Sequence, residues 1–167
     1  MAIYGIGANY DRNRDVSQDF IDNNIIGTGW TLEEAPDIHQ FIKSLKVGDI
    51  VFLKSSSIRT HEIIVKAIGV INNNEIPVHQ IIQIGRNVTW LLKDEFRLPE
   101  SGKNNVHQNT IFEEFDPEIQ QEIINKIASH SSENNQLYKD VLEARKDFQE
   151  GKCYPATPEE IMQVISS

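Results

Sequence analysis

Between Asp49 and Leu92 the chain strings together apolar runs of five to nine residues: DIVFLKS (49–55), IIVKAIGVI (63–71), VHQIIQI (78–84) and VTWLL (88–92). Short runs rich in Ile and Val, bounded by turn residues, suit β-strands. The punctuation agrees: a polar segment at 56–62, an Asn-rich turn at 72–74, and Gly85-Arg86-Asn87 between the last two runs. Upstream, Ala2 to Ala8 (AIYGIGA) reads as an opening strand and Ile25 to Trp30 (IIGTGW) as another. The glycines at 27 and 29 imply a bulge or the close approach of another group. Five or six short strands predict a closed or half-closed barrel.

Two helices fall early in the chain. Asp15 with Gln18 suits a capping box ahead of Val16, Phe20 and Ile21, and Asn9 to Arg14 reads as a polar loop. Thr31 with Glu34 suits another, before a helix over Asp37 to Leu45 buried through Ile38, Phe41, Ile42 and Leu45. The texture turns helical again at Asp116-Pro117, an N-cap with proline at the first position, and Ile119, Ile123, Ile124 and Ile127 recur at helical spacing. Further helices are expected over 136–150 and from Thr157. The fold class expected is therefore α+β: a β domain over residues 1–112 and an acidic α-helical appendage over 113–167.

Charge bears on partners. The chain carries −9, with 11 basic against 13 acidic residues in 1–110 and 5 against 12 in 111–167. The acid lies mostly in the tail, so a nucleic-acid contact would be small and pocket-centred rather than a long electrostatic track. One cysteine, Cys153, rules out an intramolecular disulfide, the first residues lack a signal peptide, and no apolar run approaches the roughly 18 to 20 residues that span a bilayer. The expectation is a cytoplasmic protein without a membrane partner.

Catalytic patterns are sparse. Gly5-Ile6-Gly7-Ala8-Asn9-Tyr10 begins like a dinucleotide fingerprint but has tyrosine for the third glycine. Histidines 39, 61, 79, 107 and 130 are far apart, which gives no metal or dyad spacing. The expectation is a binding protein with no metal, no cofactor and no catalytic residues. Trp30 and Trp90 each close an expected strand, where an indole either stacks on a planar ring or belongs to the core; Asn9, Ser55 and Ser56 could bond a ring's edges.

The order of these features resembles EVE domains. Ile3-Tyr4-Gly5-Ile6-Gly7-Ala8-Asn9 is similar to the family's first strand. Gly29-Trp30, the Lys46-Val47-Gly48-Asp49 turn into Ile50-Val51-Phe52, and Lys54-Ser55-Ser56 follow in the family's order, as do Ile68-Gly69-Val70-Ile71 and Val88-Thr89-Trp90-Leu91. The resemblance covers residues 1–112. EVE domains belong with YTH and ASCH modules in the PUA-like superfamily, so it implies a small PUA-like β-barrel whose aromatic pocket reads a modified or flipped-out base in DNA or RNA. Trp30 would be the stacking wall, Ser55 and Ser56 the polar floor with Lys54 beside them, Asn9 a rim group, and Trp90 a second wall. Tyr10 stands where many relatives have proline. A second reading is an interaction or nucleotide-sensing module of a phage-defence or counter-defence system, with residues 113–167 contacting a basic protein partner or mimicking nucleic acid.

Overall fold

In the computed structural model, residues 1–10, 14–56, 63–98 and 109–131 are described. They form strands β1 (Ile3–Gly7), β2 (Asn9–Tyr10), β3 (Arg14–Asp15), β4 (Ile25–Thr28), β5 (Ile50–Ser56), β6 (Ile63–Ile71), β7 (Ile84–Leu92), β8 (Phe96–Arg97) and β9 (Ile111–Glu113). Helices α1 (Ser17–Asp22), α2 (Pro36–Ser44) and α3 (Pro117–Ser131) accompany them. The main sheet runs β4-β7-β6-β5-β1-β9, with β8 paired to β6 off that path. Its one parallel pair is β1 with β5. Although β4 and β1 stand four places apart in the sheet, the Tyr10 ring beyond β1 lies against Gly29 beyond β4. The sheet therefore curls into a half-barrel, and the architecture is mixed α+β.

The principal core fills the concave side. Tyr4, Ile6, Val51, Leu53, Ala67, Ile71 and Val88 contribute from the sheet, Phe20 and Ile21 from α1, and Ile42 from α2 with Leu45 just beyond it. Alternation sends Phe52 to the other face, where its ring meets Phe112 edge to face at 6.0 Å. A side chain at Gly5 would run into both rings, so the first glycine of the fingerprint-like stretch makes room for aromatics. Helix α3 buries Ile119, Ile123, Ile124 and Ile127, and its first turn is capped by Asp116, whose Oδ1 accepts from Glu118 N at 2.9 Å. Contacts gather Met1–Ile127 into one unit and Ala128–Ser167 into another. Strand β9 and most of α3 lie within the first unit.

The turn into β5 has a physical basis. Gly48 has φ +88°, a conformation that favours glycine. The buried Asp49 carboxylate accepts from Ala2 N at 3.0 Å and from Lys46 N at 2.9 Å, tying the start of β1 to the end of α2.

Several local expectations are corrected. Residues 78–84 do not form a strand of their own: only an isolated His79↔Ile82 bridge precedes β7, which takes in Ile84, and Val78 is fully exposed. Gly85-Arg86-Asn87 is not a turn but the middle of the β4/β7 ladder, where Gly85 faces Gly27 and a Cβ on either would strike the other strand's backbone. Close approach was the right reason for Gly27, and it holds for Gly85 too. Arg86, buried beside them, donates to Leu45 O and to Asn74 O, placing its charge at the C-terminal end of α2, where the helix dipole favours a cation. Asn9 to Arg14 is not simply a loop, since β2 pairs with β3. Asp15 accepts from Ser17 N but Gln18 bonds Asp22, so the first capping box does not form. The second does form, between Thr31 and Glu34, yet it closes a turn, and α2 begins at Pro36.

The helices expected over 136–150 and from Thr157, Cys153, and His61 and His107 lie outside the described residues. No helix among the described residues is long and apolar enough to cross a membrane.

Candidate functional site

Trp30 follows β4, and its backbone is fixed on every side. Thr28, wholly buried, accepts at its carbonyl from Gln83 N at 2.7 Å and at Oγ1 from Trp30 N at 3.2 Å. The Trp30 carbonyl accepts from His39 Nε2 at 2.7 Å; a carbonyl can only accept, so that nitrogen carries the proton. The Thr31–Glu34 box follows at once, and it holds the exposed Glu34 carboxyl below its ordinary pKa through the hydrogen bonds from Thr31. Against this rigid backbone, Trp30 is 51% exposed. A half-exposed aromatic residue thus stands on a main chain held by hydrogen bonds on both its N–H and its carbonyl.

Three other elements reach the same end of the half-barrel. Strands β1 and β5 run parallel with Gly7 opposite Lys54, and Ala8 N meets Lys54 O at 3.4 Å, so Asn9 and Ser55 follow from adjacent strand ends. Asn9 is exposed and Ser55 partly buried. Asn9 adjoins Tyr10, whose ring stacks edge to face on Phe20 at 6.3 Å and covers Gly29, next to Trp30. The Tyr10 hydroxyl is buried. It lies by the Gly29 backbone, yet no hydrogen bond of proper geometry forms, and the oxygen has no partner among the described residues. Burial pushes this phenol up to about 12, against weaker downward pulls from Arg14 and the Gly29 backbone. Ser56 ends β5, and its side chain lies outside the described ones.

The structure does not bring the remaining candidates to that place. Trp90 pairs with Gly69, in line through Val51 with Tyr4, which is three residues or roughly 10 Å along the strands from the Gly7/Lys54 level. Its ring lies over Gly69 on the core side, partly buried, and its Nε1 is buried without a partner among the described residues. Lys54 is 3% exposed and turns to the opposite face, with Nζ 5.4 Å from the centre of the Phe112 ring. Burial lowers its pKa to about 8.

Sequence reasoning missed Thr28, His39 and Tyr10 as parts of the site. His39 carries a faint signal: it stands three residues before Ile42 on the buried stripe of α2, and a polar residue there calls for a partner. Among the described residues no group of three His, Cys, Asp or Glu side chains is placed to hold a metal ion. The chain matches no family model and no curated protein.

Proposed function

We propose that the chain is a PUA-like binding module that receives a planar base, presented out of a nucleic-acid strand and including modified bases, against the face of Trp30. The observation that carries this reading is the half-exposed indole on a backbone held by Thr28 and His39. Stacking contributes roughly 1–3 kcal/mol per base and works by contact, so it does not need a basic surface. That suits a chain of net charge −9. Asn9 and Ser55 supply polar edges from the ends of β1 and β5, and Tyr10 closes the site beneath Gly29. Trp90 belongs to the core in this reading, and Lys54 packs over Phe112 behind the β5 end. The module binds and does not turn its ligand over.

The test is titration with nucleosides and short single-stranded oligonucleotides, plain and modified, read by tryptophan fluorescence and calorimetry. Binding should quench Trp30 emission, and Trp30→Ala should weaken it about tenfold or more. Affinity should change little between low and moderate salt, because few phosphates are engaged. Unchanged fluorescence with every base tried, and equal calorimetric traces for wild type and Trp30→Ala, would sink the reading.

A further inference from the structure

His39 is an unusual occupant of a buried helical stripe. It is 7% exposed, lies on α2 one turn from the core residue Ile42, and spends its Nε2–H on one acceptor in the segment between β4 and α2, the Trp30 carbonyl. An apolar residue there would fill the same space with no polar group to satisfy. Across Trp30, the buried Thr28 makes the complementary contact with its Oγ1. The two bonds clamp both sides of one residue whose own side chain is left uncovered.

We propose that His39 is the positioning residue of the Trp30 platform: its Nε2–H fixes the Trp30 carbonyl, and hence the direction of the Cα–Cβ bond from which the indole projects. The inference rests on the stacking reading of Trp30, and it assigns α2 a task besides packing. Thr28 assists from the amide side. Fixing the ring before the ligand arrives lowers the ordering cost of binding, so loss of the clamp appears as weaker affinity and a freer indole rather than chiefly as a less stable fold.

The chain has two tryptophans, so Trp90→Phe leaves Trp30 as the sole indole reporter. In that background, time-resolved anisotropy and acrylamide quenching of the ligand-free protein read the freedom of Trp30. His39→Leu, which keeps bulk but removes the donor, should release a fast anisotropy component and raise quenching. With Trp90 native, it should weaken oligonucleotide binding about tenfold, the equivalent of one lost hydrogen bond. His39→Gln, whose amide can donate to the same carbonyl, should restore both readouts. A folded His39→Leu with wild-type anisotropy overturns the proposal, and so does a His39→Gln as loose as the leucine variant. If His39→Leu does not fold, Thr28→Val tests the other half of the clamp, and unchanged Trp30 motion in that folded variant is equally fatal. A Trp30 loosened by His39→Leu in a protein that binds no base upholds the clamp and rejects the base.

Discussion

The two ends of the parallel β1/β5 pair are built on opposite terms. At the starting end, Asp49 is buried and both carboxylate oxygens are engaged, by Ala2 N and Lys46 N, while Gly48 N donates to Ile71 O. At the finishing end, the Tyr10 hydroxyl is buried with no partner among the described residues, and Trp30 stands half uncovered beside it. Buried polar groups are nearly always satisfied. Among the described residues both ends depart from that rule, the starting end at Arg86 Nε and Trp90 Nε1 of β7 and the finishing end at the Tyr10 hydroxyl. The difference lies in the surface: the starting end ties its turn down through a buried carboxylate, and the finishing end sets a half-uncovered aromatic residue beside its unpartnered hydroxyl.

The comparison breaks most visibly at Asp49. Asp49→Ala strands two part-buried backbone donors and removes two charge-assisted hydrogen bonds, for an expected loss of about 3 kcal/mol in urea unfolding. The same variant should leave the acrylamide quenching of Trp30 unchanged in the folded protein, because the turn is at the far end of the strands. A loss well under 1 kcal/mol would mean that the starting end is not the structural anchor.

The turn at Asp49 was legible because Gly-Asp before an apolar strand uses local chemistry, and Trp30 because it closes an apolar run next to glycines. What was not legible depends on residues distant in sequence. Gly85 looks like a turn residue until Gly27 is known to face it across the ladder. Lys54 looks like part of the serine-bearing strand end, and only pairing places it over Phe112 on the other face. His39 reads as an isolated histidine because its acceptor is a backbone carbonyl, which every residue carries. The run 78–84 has strand composition, but β4 already occupies the β7 edge.

A smaller effect, in pH, sharpens the contrast by placing titrating groups at the finishing end. Lys54 holds its proton to about pH 8 in the folded chain and to 10.5 in the unfolded one, so between these values the unfolded chain binds more protons and stability rises with pH. The gain should be about 2 kcal/mol, absent in Lys54→Met. Tyr10 acts in the other direction. Its folded pKa of about 12 lies above the ordinary 10, so the stability it contributes is complete below pH 10 and is lost as pH climbs toward 12. Urea unfolding between pH 7 and 11 should therefore show a maximum near pH 10 in the wild type, and a flat approach to that value in Lys54→Met. A wild-type stability that falls steadily from pH 8 would contradict the burial of the Lys54 amine.

The smallest effect is the most discriminating, because it asks for the opposite sign at the two ends. Removing the Asp49 carboxylate costs stability; removing the Tyr10 hydroxyl should not. With its oxygen buried and unpaired, Tyr10→Phe relieves a desolvated polar group while keeping the ring on Gly29 and Phe20, so the ligand-free protein should gain roughly 0.5–1 kcal/mol. The hydroxyl's value would then appear only on binding, as a loss of affinity for a base that carries an acceptor where Tyr10 can reach it. A destabilised Tyr10→Phe would show that the hydroxyl bonds the Gly29 backbone in solution, which would make the finishing end as self-contained as the starting one and leave Trp30 alone to mark the site.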